Sequence, residues 1–177
     1  MTHKQNFELM ACYNQRMNRS IYEAAAKLGA PALSEDRGAF FGSILGTLNH
    51  ILVGDTIWLK RFSEHPEKLK ALDYVRDLNY PHTLDTILYS EFDALNIARI
   101  RMDGVIQAFT CELTDKILSS SLSYRNTKGD PFTKNFGALI QHFFNHQTHH
   151  RGQVSTLLSQ AGIDSGVTDL LIDIPNI

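Results

Sequence analysis

Apolar residues recur at spacings of three and four along most of the chain, the period of a helix that turns one face to a core. Between Asn6 and Leu28 the stripe is Phe7, Met10, Tyr13, Met17, Ile21 and Ala24, and Gly29-Ala30-Pro31 ends it. A second pattern opens at Ser34-Glu35-Asp36, residues suited to a helix N-terminus, and carries Phe41, Ile44, Leu48, Ile51, Leu52, Trp58, Leu59 and Phe62 up to His65-Pro66. This second helix is apolar around most of its circumference, so neighbours must cover it on nearly all sides. Phe92, Leu95, Ile97, Ile100, Met102, Val105, Ile106, Phe109 and Leu113 predict a third. From 116 to 134 the period is lost, and Asn126-Thr127-Lys128-Gly129-Asp130-Pro131 predicts a short hairpin or extended excursion. A fourth helix follows from Asn135 to Ala161, with Gly162 as the left-handed residue past its end. Four long helices joined by extended connections predict an all-α four-helix bundle forming one domain over residues 1–177.

Composition removes several function classes. With 43% hydrophobic and 20% charged residues among 177, the chain is expected to fold rather than stay disordered. Seventeen basic and 19 acidic residues give a net charge of -2, too balanced to attract a phosphate backbone, so no nucleic-acid partner is expected. No apolar run approaches the roughly 20 residues that span a bilayer, and the first residues lack a hydrophobic leader. The expectation is a cytoplasmic protein without membrane contact. Cys12 and Cys111 form no CxxC pair and are expected to be packing residues.

Histidine changes the picture. Four of the eight fall at His142, His146, His149 and His150 in the fourth helix. His146 and His150, at i and i+4, project from adjacent turns of one face, which is a chelating geometry. His150 lies within the stripe of Phe136, Leu139, Phe143, Val154, Leu157 and Ala161, and His146 lies at its edge. His142 and His149 are turned by about 40 to 60° toward solvent. Two imidazoles on a core stripe need partners for their nitrogens. A cation is one such partner; backbone groups or water are the other. His50 is the remaining histidine within an apolar helix and the natural third ligand, although periodicity alone does not aim it at the pair. His3, His65 and His82 fall in termini or loops and are expected at the solvated surface. Gln147 stands where an HExxH protease keeps its base, and no P-loop, GxSxG or GxGxxG motif is present. Paired Glu and Glu-xx-His motifs of di-iron bundles are missing as well.

The sequence resembles the DinB/YfiT-like superfamily of metal-dependent bundle proteins. The likeness is carried by Asn49-His50-Ile51, Asp55 and Trp58-Leu59, by Tyr124-x-Asn126-x-x-Gly129-x-Pro131, and by His142-x-x-x-His146-x-x-His149-His150-Arg151-Gly152-Gln153, with Asp169-Leu170 near the end. The resemblance implies an up-down-down-up bundle, commonly a homodimer, with a metal triad at His50, His146 and His150. Imidazole donors suit nickel, zinc, copper or iron better than magnesium or calcium; the resemblance points to nickel or zinc. Asp55, Gln147 and Arg151 are candidates for orienting the ligands. Similar proteins include thiol-dependent S-transferases and isomerases, so a small thiol, or water, activated for attack on a small-molecule substrate is the expected chemistry. A non-catalytic, metal-binding stress-response dimer and a metal-water hydrolase are the alternatives.

Overall fold

The computed structural model describes residues 1–176, leaving only Ile177 of the expected domain outside the described residues. The chain is mostly helical with one small antiparallel ribbon. Helix α1 (His3–Ala25) begins three residues before the predicted start at Asn6, because Thr2 and Gln5 form a reciprocal capping box. A short α2 (Ala30–Ser34) uses Pro31 in its first turn.

The predicted second helix starts later than its opening residues indicate. Gly38 and Gly42 both adopt positive φ and break the chain into a turn. Ser43 then caps α3 (Ile44–Ser63), its hydroxyl accepting from the Gly46 amide. The consequence is functional: residues 35–43 form a loop that carries Phe41 across the end of α3.

After α3 a short α4 (Asp73–Arg76) and an irregular stretch lead to α5 (Phe92–Glu112), close to its predicted bounds. The stretch that loses periodicity contains α6 (Asp115–Ser119) and the ribbon of β1 (Ser121–Arg125) and β2 (Pro131–Asn135), paired Ser121 with Asn135 through Arg125 with Pro131. Asn126 holds the turn, its side-chain oxygen accepting from the amides of Lys128 and Asp130, and Gly129 takes positive φ. Helix α7 (Phe136–Gln160) ends as expected: Gly162 is left-handed, Ile163 N–H bonds Leu158 O and Gly162 N–H bonds Ser159 O.

Of the four long helices, α1 packs on α5 and α7, and α3 packs on α7 and α5. The apolar core between them includes Leu48, Phe62, Phe109, Phe136 and Phe143. The C-terminal segment folds back on α1, where Arg16 pairs with Asp173 and bonds the Asp169 carbonyl. Two expectations fail. Cys12 and Cys111 are exposed, on the polar flanks of α1 and α5. His65 is buried, its ring against Phe136 and its Nε2 at 2.8 Å from Ser120 Oγ, because the chain beyond α3 tucks under the ribbon.

Candidate metal centre

Helices α3 and α7 meet in a regular register. His50 faces His150, Gly54 faces His146 and Trp58 faces His142, so positions rise along one helix as they fall along the other and the two run antiparallel. This register brings His50, His146 and His150 together, with one ring nitrogen from each lying within 4.8 Å of the others. His50 is buried, and the other two are half-buried.

The remaining ring nitrogens fix the protonation pattern. His50 Nδ1 lies 2.7 Å from the Leu84 carbonyl, which can only accept, so Nδ1 carries the proton. His150 Nδ1 lies 2.8 Å from Gln153 Oε1 and donates to it. Both neutral rings therefore present an unprotonated Nε2, and these two atoms stand 3.1 Å apart. No proton is available to join them. Two lone pairs at this range repel unless a cation lies between them, and nitrogens sharing one divalent ion at about 2.0–2.1 Å are separated by roughly 3 to 3.4 Å. The donor set and its spacing fit a divalent transition ion.

Electrostatics agree. Burial, opposed by the Leu84 hydrogen bond and reinforced by His150, pulls His50 down to about 4. Burial, then the neighbouring His150, His50, His142 and His149, pulls His146 down to about 3. Burial lowers His150 too, against its bond to Gln153. The rings are neutral near pH 7 and keep their lone pairs.

Two further residues shape the centre. Phe41 stacks on His50 with ring centroids 3.7 Å apart and turns its edge to His150. At Gly54 a Cβ would fall 2.6 Å from His146 Cε1, so only glycine leaves that ring its position. Neither was legible from the histidine pattern. Gln153 is not among the orienting candidates either, although its place three residues past His150 on the same helix is the signal that points to it.

Asp55, Gln147 and Arg151 do not orient the histidines. Asp55 accepts from Arg99 at 2.5 Å and from Gln147 Nε2 at 2.6 Å. Arg99 also pairs with Asp103 at 2.9 Å, Asn18 donates to Asp103, and Arg151 donates to Asn14. These form a buried polar network joining α1, α3, α5 and α7, separate from the imidazoles. The orienting groups are instead Leu84 O and Gln153. His142 and His149 are exposed flanking residues, as their angles predict.

The sequence model of the DinB family matches residues 1–175. The protein is 24% identical over 157 residues to "Protein DinB" of Bacillus subtilis (strain 168), covering 89% of this chain and 87% of that one. No solved structure matches the chain. Among the described residues, no helix is long and apolar enough to cross a membrane.

Proposed function

Since this chain belongs to the DinB family, we propose that it is a metal-dependent enzyme whose three histidines, His50, His146 and His150, hold one divalent ion, nickel or zinc, in an up-down-down-up four-helix bundle of one domain. The observation that carries the reading is the 3.1 Å approach of two unprotonated Nε2 atoms, each ring held in that tautomer by an acceptor on its other nitrogen. A divalent ion in such a site supplies Lewis acidity, which brings a small thiol or a water into nucleophilic range near neutral pH. The protein's own residues do the rest. Leu84 O and Gln153 aim two imidazoles, Gly54 leaves room for the third, and Phe41 covers His50 from solvent. The open side of the centre, toward His142 and His149, is where a small-molecule substrate enters.

The reaction class favoured is thiol S-transfer in the cytoplasm by a homodimer. Ile97 and Ile100, 70% and 63% exposed on α5, support self-association. The functional test is turnover by the metal-loaded protein with a panel of low-molecular-weight thiols and electrophiles. Thiol-dependent turnover that vanishes in His50→Ala supports the reading; turnover of esters without thiol would make it a hydrolase instead. Metal-loaded protein with no turnover above His50→Ala would leave only a binding role.

A further inference from the structure

The row of ring contacts between α3 and α7 does not stop at the histidines. One turn before His146 on α7, His142 has its ring centroid 6.3 Å from that of His146, and it meets Trp58 of α3 edge-on at 5.0 Å. Trp58 in turn meets Tyr124 of β1 at 5.5 Å. Against both of these rings lies the guanidinium of Arg61, 4.7 Å from the centre of Trp58 and 5.1 Å from that of Tyr124. The ribbon thus supplies one wall of a continuous ledge that leads away from the candidate centre.

Among the described residues Arg61, Arg101, Arg125 and Arg151 pair with no carboxylate, and of these four Arg61 has a buried donor without a partner. Arg16, Arg37, Arg76 and Arg99 each pair with a carboxylate. Among the described residues no carboxylate pairs with Arg61, although exposed Glu64 follows three positions later, and its Nε is buried without a hydrogen-bond partner. Its surroundings are aromatic rings and the neutral hydroxyl of Tyr80; burial pushes its pKa down, with Tyr80 and Tyr124 opposing. A partly desolvated cation with five N–H groups is costly until an anion takes them. The Tyr80 hydroxyl accepts from one of its donors; the ring contacts offset part of the remaining cost and hold the planar fork in place, and leave the buried Nε without a partner.

Position gives the ligand its length. Gly54 faces His146, and seven residues of helix, about 10 Å, separate Gly54 from Arg61. We propose that Arg61 binds the oxyanion, carboxylate or phosphate, of a small organic substrate about 10 Å long whose other end reaches the three-histidine centre and whose middle lies on Trp58 and His142. The far end of this inference rests on the metal reading; the anion subsite does not.

Trp58 is the one tryptophan in the chain, so its fluorescence reports on the ledge directly. Metal-free protein is titrated with 4-phenylbutyrate, phenyl phosphate and the uncharged 4-phenylbutan-1-ol. The anions are expected to shift Trp58 emission and to bind about ten-fold or more tightly than the alcohol, the tighter anion identifying the oxyanion. Arg61→Met, which keeps the apolar stem between the rings, abolishes that preference, and Arg61→Lys retains part of it; thermal melts show that both variants are folded. Equal binding of acid and alcohol, or a preference that persists in Arg61→Met, overturns the proposal. A second titration compares 6-mercaptohexanoate with hexanoate in the presence of one equivalent of zinc. A ten-fold advantage for the thiol acid that requires both zinc and Arg61 supports the span. With zinc bound and no advantage, the span is overturned. If zinc itself does not bind, the metal reading has failed, and the first titration still decides the anion subsite.

Discussion

A histidine becomes a ligand only when its other nitrogen is occupied, and here that second contact comes from small, replaceable groups. Gln153→Ala would leave His150 Nδ1 without its acceptor and let the ring change tautomer, so metal affinity is expected to fall about 10- to 100-fold. Gln153→Glu, which keeps the acceptor, is expected to restore most of it; equal affinity in all three proteins would mean that the contact is incidental. Gly54→Ala separates site from fold. Alanine favours the helix by about 1 kcal/mol over glycine, and the added Cβ meets only the end of a side chain that can rotate away. The metal-free variant should melt within a few degrees of the original while its metal affinity drops ten-fold or more. A variant that binds metal normally would show that His146 does not need the position it holds against Gly54.

At the scale of elements, the centre depends on an irregular segment as much as on two helices. Asn49 is buried beside His50 and donates to Tyr89 O while accepting from Tyr89 N–H, both at 3.0 Å. This clasp ties α3 to the stretch that delivers Leu84 O to His50. Asn49→Ala removes both of these half-buried bonds, a loss of about 1–2 kcal/mol, together with weakened metal binding; a denaturant midpoint unchanged by the substitution would dissociate the clasp from the site. Long helices and their stops were legible in the sequence because three- and four-residue spacing, Pro66 and Gly162 act locally. The start of α3 was not, because Ser34-Glu35-Asp36 and Ser43 offer rival caps, and the choice falls to the left-handed Gly38 and Gly42. The histidine pair on α7 was legible from i, i+4 spacing. The direction of His50 was not, since the α3–α7 register that aims it is set by tertiary packing. Leu84 escaped notice for the same reason: a backbone carbonyl in a loop has no sequence signature.

For the whole molecule, the lowered histidine pKa values set a pH dependence. His50 and His146 titrate at about 4 and about 3 in the folded metal-free protein but near 6.5 when unfolded. Below pH 6.5 the unfolded chain takes up protons that the folded centre refuses, so metal-free stability falls as the pH drops from about 6.5 toward 4. Above 6.5 these groups add no slope. Denaturant midpoints at pH 7.5 and 5 test this: the midpoint should be lower at pH 5, and His146→Gln should flatten the difference. A midpoint that holds or rises on acidification contradicts the burial described here. Self-association through the α5 face belongs to this scale as well; sedimentation at micromolar concentration should show a species near twice 20 kDa, and a 20 kDa species alone would count against it.

If three imidazoles share one ion, the protein retains metal only while all three are present. Metal-free protein is incubated with zinc or nickel, desalted, and its bound metal counted per chain. One ion per chain is expected in the unaltered protein, with loss of retained metal in His50→Ala, His146→Ala and His150→Ala and full retention in His142→Ala and Arg61→Met. No ion retained by the unaltered protein, or an ion retained equally by His50→Ala, would contradict it.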